Sequence, residues 1–139
     1  MTGRSRSRRD RRGQALVEFA LAIPIVLLLM LGTLDLGRAI FAYNSVSNAA
    51  RSAARVAIVN QDQTAVEAEA LNEAVGLTPV TVEPLSYPYA AGGECPDLGC
   101  VIRVEVSHDW VAATPIIGQI VGPITISSTS ELPIERVSP

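Results

Sequence analysis

The chain has 139 residues, room for one small domain and an anchor, with 48% apolar residues, 18% charged residues and a mean hydropathy of +0.30. That is more apolar than an ordinary soluble domain, and the excess lies in one block near the N-terminus. The net charge of -3 is also split: Arg4, Arg6, Arg8, Arg9, Arg11 and Arg12 against Asp10 give the tail +5 and leave -8 for the rest, so the basic run is read as topogenic and no nucleic-acid partner is expected.

The first predicted element is a membrane anchor. Ala15 to Leu34 contains one charge, Glu18, and Phe19 to Leu34 contains none. Twenty helical residues cover about 30 Å, the thickness of a hydrocarbon core. Ile25 to Leu31 has no polar face, as a helix in lipid requires. The arginines hold the N-terminal side in the cytoplasm, so the expected orientation is N-terminus inside and the remainder outside. A cleaved secretory signal is the alternative, but its apolar core usually has only about 7–15 residues. Pro24 removes one backbone hydrogen bond and is expected to kink or loosen the span. At the outer membrane boundary, Asp35 and Arg38 stand i, i+3 and can pair, while Phe41 and Tyr43 are aromatics suited to the lipid–water interface.

Apart from Gly37, nothing between Leu36 and Val59 breaks a helix, so the anchor helix is expected to continue outward. Val46, Ala50, Ala54 and Ile58 form an apolar stripe, Ala49, Ala53 and Ala57 add small side chains, and Asn44, Asn48, Arg51 and Arg55 form a polar stripe. The apolar stripe packs either on the chain's own outer domain or on another helix in an assembly. Asn60 to Gln63 reads as a turn. Thr64-Ala65-Val66-Glu67 has capping-box spacing, so a second helix is expected to start there and end near Gly76, with Glu67, Glu69 and Glu73 as a solvated face.

Beyond Gly76 the pattern changes to period two. Val80–Glu83, Val101–Val106 and Pro123–Ser130 are candidate strands. A Pro- and Gly-rich connection covers Pro84 to Cys100, and Ile116 to Val121 is a loop or short helix. Cys95 and Cys100, on the exported side, are expected to form a disulfide. The predicted fold is a membrane-anchored α+β chain. One long N-terminal transmembrane helix extends into a small outer domain with a second helix and a short antiparallel sheet. Its parts are a basic cytoplasmic leader (1–13), the transmembrane helix (14–43), a helical outer segment (44–76) and a small β-rich outer domain (77–139).

Catalytic chemistry is not expected. A hydrolytic triad needs a base beside a nucleophile, and the one histidine, His108, sits in a strand-like segment as a structural or surface residue. Two thiolates and His108 leave a metal short of ligands, and there is no phosphate loop or dinucleotide fingerprint, so no cofactor or metal is expected.

The most informative residues are Gly13-Gln14-Ala15-Leu16-Val17-Glu18-Phe19, where a carboxylate stands at the edge of an apolar helix and needs a use or a route to the headgroups. Arg12 to Ala20, Pro24, Leu34-Asp35-Leu36-Gly37-Arg38-Ala39, Tyr43-Asn44 and Asn48 to Arg55 together resemble the TadE-like family of the tight-adherence (Flp) pilus machinery. The resemblance is strong over 12–59, fades through 60–112 and returns modestly at Thr114 to Gly118 and Ile126 to Ser130. It implies a pseudopilin-like component of a bacterial inner membrane that helps assemble a thin pilus. The implied partners are membrane lipid, other pilus-assembly proteins, pilins and a prepilin-type peptidase. By the same resemblance, processing would fall between Gly13 and Gln14, with Glu18 and Phe19 as recognition residues. The alternative is a membrane-tethered binding or adhesion module unrelated to pili.

Overall fold

The computed structural model describes residues 7–90 and 97–137 of the chain. Helix α1 runs without interruption over Ser7–Ala57, followed by α2 (Gln63–Glu73), β1 (Val80–Val82), β2 (Val101–Trp110), α3 (Pro115–Val121) and β3 (Ile124–Pro133). At 1.5 Å per residue, α1 is about 75 Å long, more than twice a hydrocarbon core. It is long and apolar enough to cross a membrane, and its most apolar stretch has no part buried inside the protein. Pro24 lies within this continuous helix. It leaves one carbonyl without its i+4 donor, a local defect that the neighbouring turns bridge.

The outer half of α1 is rich in alanine, the strongest helix former, and its alanines do the packing. Val46, Ala49, Ala50, Ala53, Ala54 and Ala57 are all 0% exposed. Against them lie Val66, Ala70 and Ala74 from the α2 segment, Ile102, Val104 and Val106 from β2, and Ile134. Small side chains on the helix leave room for the branched side chains of the sheet, which gives close packing without overlap. The apolar stripe of α1 is therefore covered by the chain's own domain, not by a foreign helix. Asn44, Asn48, Arg51 and Arg55 remain exposed on the other side.

The sheet is antiparallel, in the order β1-β2-β3. β2 is central and alternates along its whole length: Ile102, Val104, Val106, His108 and Trp110 are buried. The strand extends past Val106 because this alternation continues through His108 to Trp110. His108 donates Nδ1–H to the Pro79 carbonyl at 2.6 Å, a structural role. Arg103 and Glu131 face each other in the β2–β3 register and form an ion pair at 2.6 Å. The chain then returns to α1, where the amides of Glu135 and Arg136 both donate to the Ile58 carbonyl at 3.0 Å.

Two expectations about α2 are corrected. Its N-cap is Asp62, not Thr64: the Asp62 carboxylate accepts from Thr64 N at 3.2 Å and from the Thr64 hydroxyl at 2.7 Å. An aspartate already in position at the turn offers two acceptor oxygens, so Thr64 becomes a donor inside the first turn. Glu67 and Glu69 are half-buried rather than simply solvated. Glu67 accepts from Gln63, and Glu69 accepts from Ser52 at 2.7 Å, tying α2 to α1. Glu73 is exposed. Ile116–Val121 resolves as part of α3. Cys95 lies outside the described residues; Cys100 is half-buried where β2 begins, its carbonyl accepting from Ile134 N at 2.7 Å.

This packing makes the alanine face intolerant of volume. Ala53→Leu should destabilise the outer domain by about 1–3 kcal/mol through overpacking, whereas Asn48→Ala on the exposed face should change it by less than about 0.5 kcal/mol. Denaturant unfolding of the detergent-solubilised protein checks this; equal effects at the two positions would contradict the packing described.

Candidate functional site

Where the apolar run of α1 ends, Asp35 is 4% exposed. A carboxylate so placed needs donors, and the backbone of α1 cannot supply them, because its amides are used within the helix. They come from 78 and 79 residues further along the chain. Ala113 N donates to Oδ1 at 2.9 Å and Thr114 N to Oδ2 at 3.0 Å. The Thr114 hydroxyl makes a further hydrogen bond to the same carboxylate. Arg38 adds Nη1 at 3.3 Å, but it is the weakest geometry of the set, and its side chain is 56% exposed. The pairing of Asp35 with Arg38 is thus a minor part of a clasp whose main partners are backbone amides.

The same clasp organises α3. Thr114 is the N-cap residue of α3 yet makes no side-chain capping bond into the helix. Its hydroxyl is directed to Asp35 instead. Pro115 opens the helix, where a missing N–H costs nothing. Gly118 lies against the Ala112 carbonyl, and a Cβ there would come within 3.2 Å of that oxygen. Ile117 reaches α1 at Gly32, where a Cβ would stand 3.6 Å from Ile117 Cδ1. Trp110 completes the joint, packed with Ala42 and Ala112 and bordered by Ala39, Ile117 and Ile126. Its indole nitrogen is buried without a hydrogen-bond partner. Phe41 and Tyr43 are each 56% exposed on α1 beyond the clasp.

The second group of residues lies at the other end of the apolar run. Gly13, Gln14, Glu18 and Phe19 are all exposed and all within α1. Gln14 Nε2 donates to Glu18 Oε1 at 3.1 Å, one helical turn away. A side chain at Gly13 would meet nothing within 4 Å. The Gly13–Gln14 bond is therefore open to approach but helical, and an enzyme that took it as an extended segment would have to unwind the helix locally. Glycine weakens a helix by about 1 kcal/mol relative to alanine, which favours unwinding there. Among the described residues, no group of three or more His, Cys, Asp or Glu could hold a metal ion.

The relative weights of the clasp's members can be measured. Asp35→Asn replaces one acceptor oxygen with an NH2 that faces an N–H, and should lower outer-domain stability by about 1–3 kcal/mol. Arg38→Ala removes an exposed partner and should cost no more than about 1 kcal/mol. Unfolding titrations giving the reverse order would show that the ion pair, not the backbone amides, holds Asp35.

Residues 13–55, which contain the Gly13–Phe19 group, Asp35 and Arg38 of the clasp and most of the packed alanine face, match the model of a protein family described as TadE-like protein. No curated protein and no solved structure matches the chain. The N-terminal region, 13–55, is thus similar to the TadE-like family, and the similarity ends within α1.

Proposed function

We propose that the protein is a pseudopilin-like structural component of a tight-adherence (Flp-type) pilus or a related secretion apparatus. One observation carries the reading: the segment similar to the TadE-like family is a single helix whose apolar half is bare and whose outer half is built into a folded domain. A bare apolar helix of this length is at home in lipid. The arginine tail supports an orientation with the N-terminus in the bacterial cytoplasm and the domain on the outer side of the inner membrane. Because the domain covers the alanine face of α1, contacts with other pilus-assembly proteins and pilins fall to the exposed surfaces, including the Asn44, Asn48, Arg51 and Arg55 stripe.

Processing between Gly13 and Gln14 by a prepilin-type peptidase belongs to this reading. Each arginine in the tail resists entry into hydrocarbon by roughly 2.5–3.5 kcal/mol on insertion scales. While the tail remains, it pins the start of the helix at the cytoplasmic face. Its removal exchanges +5 of charge for one α-amino group, and the helix is then free to move along the membrane normal into an assembly. Glu18 would follow the new terminus by about one turn, where a neighbouring helix's amine can pair with it. On the exported side, a Cys95–Cys100 bond would close the loop leading into β2.

One preparation from native-host membranes tests this reading. The protein should begin at Gln14, co-purify with pilus-assembly proteins, and show Cys95 and Cys100 joined when its mass is read without reductant. Gly13→Arg should leave a larger, uncleaved species and abolish piliation. An intact Met1 or Thr2 terminus in piliated cells, with no pilus protein co-purifying, would refute the assignment.

A further inference from the structure

The clasp holds a short apolar helix against the membrane-length helix at an unexpected depth. Ile117 of α3 touches α1 at Gly32, inside the uncharged run that ends at Leu34. Yet the bare apolar surface of α1 continues outward beyond that level: Leu34, Leu36, Ile40 and Phe41 are each more than half exposed. Phe41 is nine residues past Gly32, or about 13 Å further along the helix axis. The apolar belt that lipid would cover therefore extends outward past the place where α3 sits.

The chemistry of α3 fits that depth. From Trp110 to Ser130 the chain has no Asp, Glu, Lys or Arg. Within α3, Ile117 turns towards α1, while Ile120 is 79% exposed and Val121 50% exposed; Ile124, just after the helix, is 44% exposed. These side chains make an exposed apolar surface on a stretch of chain that carries no charge. The one ionisable group on α1 between Gly32 and Arg38, Asp35, is buried and supplied with donors by the loop that leads into α3. Arg38 can extend its exposed guanidinium towards the headgroups from the same level.

We infer that α3 is a second membrane contact: it lies in the outer leaflet beside α1, with Ile120, Val121 and Ile124, where β3 begins, against the acyl chains and the rest of the sheet rising out of the headgroups. The occupant of this face is lipid. The depth of α3 favours it over a second copy of the chain, since Ile117 stands beside Gly32, within the uncharged run that lipid would cover. The inference rests on α1 crossing the bilayer, as the proposed function requires. An unsupported apolar face in the headgroup region gains burial in lipid at about 25 cal/mol per Å² of surface removed from water. The contact fixes the domain's height and tilt, so that its polar stripe is presented at a constant distance from the membrane.

The test uses the unaltered full-length protein with labelled isoleucine δ-methyls, in nanodiscs of phosphatidylcholine and phosphatidylglycerol. Spin labels are carried near the top of the lipid acyl chains in one sample, near their ends in a second, and on a water-soluble chelate in a third. Ile25, in the middle of the apolar run, reports whether α1 spans; Ile58 and Ile102 report the domain. The Ile120 signal should lose most of its intensity to the shallow lipid label and be spared by the chelate, while Ile58 and Ile102 are spared by both lipid labels. Loss of Ile120 intensity to the chelate, with Ile25 still attenuated by the deep label, overturns the α3 contact and leaves the anchor intact. An Ile25 signal untouched by either lipid label overturns the anchor itself. Protection of Ile120 from all three labels, with contacts between differently labelled copies, assigns the face to a second copy and likewise refutes the lipid contact.

Discussion

A carboxylate at the end of a membrane-length apolar helix has to be given hydrogen-bond donors, because neither the lipid acyl chains nor the helix's own backbone provides them. In this chain the main donors are the amides of Ala113 and Thr114, in the connection between β2 and α3. Satisfying that one group fixes where the β2–α3 connection runs. With the connection in place, α3 approaches α1 through Ile117 at Gly32, and Trp110 is enclosed between α1, α3 and β3. At the opposite end of the domain, Glu135 and Arg136 reach the Ile58 carbonyl. The C-terminal half is thus attached to α1 at two places about 23 residues apart, roughly 35 Å along the axis. Between them the alanine face supplies the apolar contact.

This arrangement joins anchor and domain without a linker. A flexible connection would let the domain swing relative to the membrane. A continuous helix with its own domain folded back along it transmits any movement of the span directly to the outer surface. For a component that assembles by sliding or lifting its helix, as the proposed function holds, that rigidity is the useful property. It also explains why the most volume-sensitive part of the chain lies in a region of sequence with little chemical variety. Alanine at 49, 50, 53, 54 and 57 is the smallest side chain that still favours a helix.

Much of the fold was legible because its signals are local. The apolar run and the lack of breakers after Gly37 specify α1, and alternation specifies the strands. Where the structure departs from expectation, competing local donors and acceptors were the reason: Asp62 outranked Thr64 as the cap of α2, and Glu69 found Ser52 on α1. The ambiguity at Ile116 to Val121 was real, since a six-residue, mostly apolar segment bounded by Pro115 and Gly122 fits a loop or a helix equally. The clasp was not legible. Asp35 has an arginine at i+3, which accounts for its charge locally and hides its need for further donors. Its main partners are backbone amides, which have no sequence signature, and they lie in a distant segment. The one available hint was Thr114 before Pro115, a capping residue whose hydroxyl then serves Asp35.

The central claim is that the Asp35 carboxylate immobilises the β2–α3 connection. Amide hydrogen exchange on the unaltered protein in nanodiscs tests it directly. If the clasp persists in solution, the Ala113 and Thr114 amides exchange as slowly as those in the centre of β2, because opening them requires the joint to come apart. If both exchange at the rate of an open loop while β2 stays protected, the connection is not held by Asp35 and the account is wrong.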